Sequence, residues 1–284
     1  MYSSGSTRAP KGALTTFGNL DHQLEMNGRA LECSPDHVSC WWAPHYHDYG
    51  LISGFLNVIY QGCKGVLASP FDFIQRPPLW LDMLDKYKGT HTFGPDFGYD
   101  LLIRKTSQQD RQSKKWDLGP LKIAMSAAEK VRAATIDSFS AAFEPCGFRR
   151  EVFCPAYGLA EHTVGVTING IGDEPVIQRF LRKPLEERGE ALPADAEDDF
   201  EDDFEDLTET GTPANADELE ETAEDMLEDS NQLNDATTKN ENVVDVCADG
   251  GGEITSTVVQ QPTDPLQLTT VTKSPMSRQK RWSD

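Results

Sequence analysis

Chemistry concentrates at four places along the chain. The first is Ser3-Ser4-Gly5-Ser6-Thr7-Arg8-Ala9-Pro10-Lys11-Gly12, which offers hydroxyls, glycines and one ammonium in close succession. Backbone N–H groups, hydroxyl donors and a Lys can together hold a polyphosphate, and glycine removes the side chains that would block its approach. The spacing is not that of the G-x-x-x-x-G-K-[ST] loop, because Lys11 follows a Pro and precedes a Gly. The same composition suits a slack Ser/Gly-rich terminus. The second place is His45-Tyr46-His47-Asp48. In an extended segment His45 and His47 would share one face, as metal ligands can. No third and fourth ligand stands at a matching spacing, so a ring-lined substrate wall is the better reading.

The third place, Ser126-Ala127-Ala128-Glu129, puts small residues where a flat ring could lie against backbone. Glu129 equally suits the first turn of a helix, opposing its dipole. The fourth is Tyr157-Gly158-Leu159-Ala160-Glu161-His162-Thr163, with an aromatic, a glycine, a carboxylate and hydroxyls close together. Such a set can serve a nucleotide and its Mg2+.

These groups need elements to position them. Ala13 to Leu24 reads as a helix with Leu14, Phe17 and Leu20 on one side, and His37 to Pro44 as a buried strand ended by Pro. Leu51 to Tyr60 is apolar enough for a mostly buried helix, and Lys64 to Ala68 reads as a second strand. Pro77-Pro78 opens a helix with Leu79, Leu81, Met83, Leu84 and Tyr87 inward. Thr90 to Phe93 reads as a third strand stopped by Gly94-Pro95, Phe97 to Ile103 as a helix, and Thr106 to Lys115 as an exposed loop. Leu121 to Ser126 is a fourth strand and Glu129 to Phe143 an amphipathic helix, followed by strands at Glu151 to Gly158 and Val164 to Ile168. Strands alternating with helices predict an α/β fold, a mostly parallel sheet with crossover helices. In such sheets ligands gather at the carboxyl ends of the strands, where the last three polar clusters fall.

The net charge of −21 is unevenly distributed. Residues 1–185 hold 20 Lys+Arg against 19 Asp+Glu, which leaves 6 against 28 for residues 186–284. That acidic, low-complexity segment cannot bury enough apolar surface to offset its ordering entropy, so it reads as a disordered tail. A strongly negative tail argues against nucleic acid and anionic membrane as partners. The six Cys include no C-x-x-C pair, which fits a reducing, cytoplasmic setting. No apolar run approaches the ~20 residues that span a bilayer.

Taken in order, these pieces resemble the adenylate-forming (AMP-binding) enzyme superfamily, and within it the fatty acyl-AMP ligase group. Ser3 to Gly12 is similar to its phosphate-binding signature and Tyr157-Gly158-Leu159-Ala160-Glu161 to its Y-G-x-[TA]-E motif. Three further stretches are similar to segments of the group. Ala43-Pro44-His45-Tyr46-His47-Asp48-Tyr49-Gly50-Leu51-Ile52-Ser53-Gly54 resembles L-P-x-Y-H-D-M-G-L-I-x-G. Ser69-Pro70-Phe71-Asp72-Phe73-Ile74-Gln75-Arg76-Pro77-Pro78-Leu79-Trp80-Leu81 resembles S-P-x-x-F-x-x-R-P-x-x-W-L. Gly94-Pro95-Asp96-Phe97-Gly98-Tyr99-Asp100-Leu101 resembles G-x-P-N-F-A-Y-D-L.

The resemblance implies ATP-dependent activation of a fatty acid, giving acyl-adenylate and pyrophosphate. The acyl group would then pass to an acceptor such as an acyl carrier protein or polyketide synthase. It implies that Ser4, Gly5, Ser6, Thr7 and Lys11 hold phosphates and that Ala128 and Glu129 line the adenine or ribose region. Tyr157 would pack on adenine with Gly158 beside it in the cofactor site, Glu161 would bind Mg2+, and His47 and Asp48 would sit near the carboxylate and acyl tunnel, with Lys11 completing the catalytic set. Asp96 departs from the usual Asn, and Ser126-Ala127 stand where a glycine is common. Counterparts of the family's N-terminal region, ribose-binding Asp and C-terminal catalytic Lys are not found, so residues 1–185 are expected to form a partial domain with impaired turnover. The alternative expectation is a non-catalytic nucleotide- or acyl-binding interaction module.

Overall fold

The computed structural model describes Met1, residues 11–194 and three strand segments at 243–246, 253–256 and 269–275. Two units divide the chain, one comprising Met1–Pro175 with Thr238–Asp284 and the other Val176–Thr237. The first unit is built on a mostly parallel sheet flanked by helices, as the alternation of strands and helices predicts. Its strands are β1 (Val38–Trp41), β2 (Lys64–Ala68), β3 (His91–Gly94), β4 (Ile123–Ser126), β5 (Phe153–Gly158) and β6 (Gly165–Ile168). The tail contributes β7 (Val243–Val246), β8 (Glu253–Ser256) and β9 (Thr269–Pro275), giving the order β6-β5-β4-β3-β1-β2-β7-β9-β8. The five central strands run parallel, with Ser39 opposite both Gly65 and His91, and Thr92 opposite Ala124. β6 returns antiparallel to β5, and β7 antiparallel to β2. The carboxyl ends of β1, β3, β4 and β5 therefore share one edge, which brings residues 42–48, 95–97, 127–129 and 157–161 to the same side.

The helices begin where local chemistry allows. α1 (Phe17–Ala30) starts at Thr16, whose hydroxyl accepts the Asn19 N–H while Asn19 Oδ1 accepts the Thr16 N–H, a reciprocal cap. That cap moves the helix downstream of the expected 13–24. Residues 51–60, expected as one helix, are instead a wide π-turn stretch (Tyr49–Leu56) followed by α2 (Asn57–Gln61). Insertions of this kind recur at functional sites. Gly50 is required there, since a Cβ would lie 2.1 Å from the Pro44 carbonyl oxygen.

α3 (Pro70–Gln75) and α4 (Pro78–Tyr87) follow β2, the latter opened by proline as expected. α5 is Asp96–Lys105. The segment Thr106 to Lys115, expected as a loop, contains α6 (Gln108–Gln112), because Ser107 accepts the Asp110 N–H and caps it. α7 begins at Ala133 and runs to Phe143, four residues later than expected.

The core against α4 and α5 is aromatic. Trp42 stacks on Phe73 at 3.9 Å, and Trp80 meets both Trp42 and Tyr99 edge-on or tilted. The Trp80 indole N–H donates to the Thr92 hydroxyl at 2.6 Å, which donates in turn to the Cys40 carbonyl. The other face of the sheet packs Leu31, Trp41, Tyr49, Val58, Phe93 and Met125. In the second unit, α8 (Arg182–Arg188) ends at Gly189 in the left-handed region, φ +67°. The acidic run of 195–237 lies outside the described residues.

Candidate functional site

On the sheet face opposite Trp42 and Trp80, a cavity of about 710 Å3 opens between α1, the π-turn and the strand ends. Its buried lining includes Leu31, Tyr49, Met125, Ala127 and Val164, with the polar Gln23; its exposed lining includes Tyr46, His47, Ala128, Tyr157, Gly158 and Glu161. Three of the four polar clusters thus contribute to one space.

His47 and Asp48 reach it from the turn after β1. The His47 Nδ1 accepts the Tyr49 N–H at 3.1 Å and lies 2.9 Å from Asp48 Oδ1. One ring nitrogen cannot serve both at once. Without a proton there it accepts from Tyr49; with one it donates to Asp48. His45 does not line the cavity, because residues 45–48 turn rather than extend, so the two imidazoles do not share a face.

Tyr49 and Tyr99 both donate to the Met125 carbonyl, at 3.3 and 2.9 Å. Burial pushes both phenols well above their ordinary pKa, so they are permanent donors. Ala127 and Ala128 follow β4, and Ala128 sits in the left-handed region at φ +73°.

Glu129 departs from its expected place. It is not among the cavity's lining residues and does not open α7. Its Oε1 accepts the Phe97 N–H at 2.6 Å, at the start of α5. Pro95 at the N-cap of α5 has no side-chain acceptor to offer, and Glu129 fills that vacancy.

Tyr157 is 61% exposed at the end of β5. The β5–β6 register shifts between Tyr157 and Gly158, and a Cβ on Gly158 would fall 1.8 Å from the Val164 carbonyl oxygen. Only glycine fits that bulge. Glu161 stands on the single helical turn Ala160–His162, exposed and, among the described residues, without an ion pair. Thr163 behind it holds φ +73°, an outlier for a β-branched residue. Ser4, Gly5, Ser6 and Thr7, expected to hold phosphates, lie outside the described residues. Lys11 is described, exposed, and not among the residues lining the cavity.

Sequence reasoning missed the contribution of α1. Gln23 donates to Asn27 Oδ1 at 2.8 Å and accepts the Gly165 N–H at 3.3 Å, so Gln23, steadied by Asn27, ties the helix to β6 along the cavity. A Gln-x-x-x-Asn pair on one helical face was the available signal.

A second polar cluster lies at the amino ends of the strands, around a void of about 20 Å3. Ligand atoms of Cys33, His37 and His91 come within 4.8 Å of one another there. His37 Nδ1 accepts the Ser34 N–H, and its Nε2 lies 3.2 Å from the Lys122 ammonium. His91 engages the Leu31 carbonyl and the Thr90 hydroxyl, both at 2.9 Å. Both His91 ring nitrogens have polar partners and the Lys122 ammonium stands beside His37, an electrostatic setting that disfavours a further cation.

The family model for the AMP-binding enzyme matches residues 1–217. The medium-chain-fatty-acid–[acyl-carrier-protein] ligase JamA of Moorena producens is 37% identical over 197 residues, 69% of this chain and 33% of that protein. The 4-hydroxyphenylalkanoate adenylyltransferase of Mycobacterium tuberculosis is 35% identical over 180 residues, 62% of this chain and 28% of that protein. A fatty acyl-adenylate ligase from L. pneumophila, solved with acyl adenylate and pyrophosphate, superposes with a TM-score of 0.62 at 33% identity. That match covers 69% of this chain and 34% of the solved one. This chain therefore spans about a third of the length of such relatives. With a parallel sheet whose strand ends meet at one cavity, and a family match over residues 1–217, the chain belongs to the AMP-binding enzyme family.

Proposed function

We propose that residues 1–185 are part of an acyl-adenylating domain that joins a fatty acid to ATP, giving acyl-adenylate and pyrophosphate. The observation that carries this reading is the convergence of the turns after β1, β4 and β5 on one cavity with a buried apolar lining and an exposed polar one. An acyl chain entering the apolar part would gain about 0.8 kcal/mol per buried methylene against Leu31, Tyr49, Met125 and Val164. The exposed Tyr157 ring, the side-chain-free Gly158 and the small Ala128 suit a flat base.

A divalent cation fits the residues present. Glu161 carries an exposed carboxylate on the cavity wall with no ion-pair partner among the described residues, and Mg2+ takes one or two carboxylates together with phosphate oxygens. On this reading Glu161 holds Mg2+, and Ser4, Gly5, Ser6, Thr7 and Lys11 hold the outer phosphates. His47 and Asp48 orient the fatty carboxylate, while Glu129 acts from behind the adenine-facing turn. Catalysis would rest on positioning and on charge stabilisation at the α-phosphate. The acyl group would then go to a carrier-protein thiol, such as that of a polyketide synthase. Among the described residues no helix is long and apolar enough to cross a membrane, and Cys33, Cys40, Cys63, Cys146 and Cys154 are free thiols, which suits work in the reducing cytoplasm.

Calorimetric titration of the chain with Mg-ATP tests this. Saturable binding is expected, weakened at least tenfold in Lys11→Ala and Glu161→Ala; no binding by the unaltered chain defeats the proposal. Pyrophosphate exchange with medium- and long-chain fatty acids then separates turnover from the second reading. Binding without fatty-acid-dependent exchange would favour a non-catalytic nucleotide- or acyl-binding module.

A further inference from the structure

Behind the turn that follows β4, two helix starts lie side by side, and neither caps itself. α5 has Pro95 at its N-cap and α7 has Arg132, and neither makes a side-chain cap bond. A helix start leaves several N–H groups needing partners, and here each start is served by a carboxylate from the other. Asp96, the first residue of α5, accepts the Arg132 N–H at 3.2 Å and the Thr135 hydroxyl at 2.8 Å. Glu129, from the loop leading to α7, accepts the Phe97 N–H at 2.6 Å. The Arg132 guanidinium closes the exchange, its Nε donating to Asp96 Oδ2 at 2.7 Å. The Asp96 side chain is 1% exposed.

The loop from 127 to 132 is thereby held at both its middle and its end by two consecutive residues, Asp96 and Phe97. Upstream it is held by β4, where Ser126 is in register with Gly94 and Pro155. Between these anchors sits Ala128, in a backbone conformation that alanine rarely adopts, φ +73°. Such a conformation persists only where the surroundings over-determine it.

We propose that Asp96 is a positioning residue for nucleotide binding. Through Arg132, Thr135 and the paired Glu129 cap it holds the Ala127–Ala128 turn in the shape that presents its backbone to a purine ring. This rests on the reading that the cavity takes a nucleotide. Asp96 touches neither the cavity nor the ligand; its effect runs through the turn. The other charges facing the network are Glu129 itself and Asp100, whose carboxylate pairs with Arg104.

The test combines AMP titration with amide hydrogen exchange on the full chain, comparing the unaltered protein with Asp96→Ala, Asp96→Asn and Arg132→Ala. Asp96→Ala is expected to speed exchange at residues 127–132 at least tenfold, leave β1 and β3 unchanged, and weaken AMP about tenfold. Asp96→Asn keeps one acceptor oxygen for the Arg132 Nε–H and the Thr135 hydroxyl while giving up that of the Arg132 backbone N–H, and should restore AMP affinity to within about threefold. Should Asp96→Ala fail to fold, Arg132→Ala, which leaves both caps in place, is expected to show the same local loosening and a threefold or greater loss. Unchanged AMP affinity with a loosened turn overturns the proposal, as does uniform loosening of the whole sheet. Absence of AMP binding in the unaltered chain overturns the nucleotide reading and the proposal's ligand with it. The exchange arm then decides separately whether Asp96 holds the turn.

Discussion

The Tyr49 and Tyr99 hydroxyls converge on a single acceptor, the Met125 carbonyl, from elements 50 residues apart in the chain. Each tyrosine alone satisfies that carbonyl, so loss of either should be mild. Tyr49→Phe and Tyr99→Phe are each expected to cost about 0.5–1.5 kcal/mol. The double variant strips both hydroxyl donors from a carbonyl that then keeps only its place in the β3–β4–β5 ladder, and it should cost more than the sum, by roughly 1 kcal/mol. Urea unfolding of the four proteins measures the coupling, and strict additivity would refute a shared acceptor.

His91 gives the fold a defined response to acid. Burial, helped by the nearby His37 and Lys122 charges and opposed by the Leu31 carbonyl, lowers its pKa to about 4. The unfolded chain titrates near 6.5, so between these values the unfolded state binds the proton and the folded state does not. Stability is therefore complete above about pH 6.5 and lost as pH falls toward 4, by about 3 kcal/mol in all. His91→Gln keeps a donor for Leu31 and has no titration there, so its urea midpoint should fall less between pH 7 and 4.5. Parallel loss in both proteins would assign the acid sensitivity to the carboxylates instead.

Much of the fold is legible locally because its punctuation is local. Pro44, Pro77-Pro78 and Gly94-Pro95 stop or start elements near where the sequence places them. What escapes the sequence is set by distant partners. The π-turn at Tyr49–Leu56 has the composition of an ordinary buried helix; its geometry answers to Gly50 against Pro44 and Gly54 against Trp41 and Phe93. Glu129 reads as the first turn of its own helix, yet its partner is the Phe97 N–H of a helix begun 33 positions earlier. At the site, His47, Asp48, Ala128, Tyr157, Gly158 and Glu161 meet as strand-end turns should. The Gln23 and Asn27 spacing shows a shared helical face, but only packing against β6 turns that face of α1 toward the cavity.

Gly158→Ala should damage the site selectively. The added methyl would meet the Val164 carbonyl oxygen at 1.8 Å, a backbone atom that can yield only if the β5–β6 bulge shifts. A cost of about 1–3 kcal/mol is expected, with displacement of Tyr157 and Glu161, which flank the bulge. Thermal unfolding and Mg-ATP titration together check this: an undisturbed melting temperature with intact binding would contradict the close approach.

Ala128→Gly separates the strain in the turn from its use. Alanine in the left-handed region costs roughly 1–2 kcal/mol, while glycine there costs little in conformation but about 0.5–1 kcal/mol in extra chain entropy. The substitution should thus be neutral or stabilising by up to about 1 kcal/mol, read from the urea midpoint. Binding should move the other way. The Asp96–Arg132 and Glu129–Phe97 bonds restrain the turn from residue 129 onward, but a glycine at 128 frees its leading half to leave the shape they impose. Affinity for AMP is expected to drop severalfold in a protein at least as stable as the original. A gain in affinity would mean that the strained alanine hinders the ligand rather than holding the backbone ready for it.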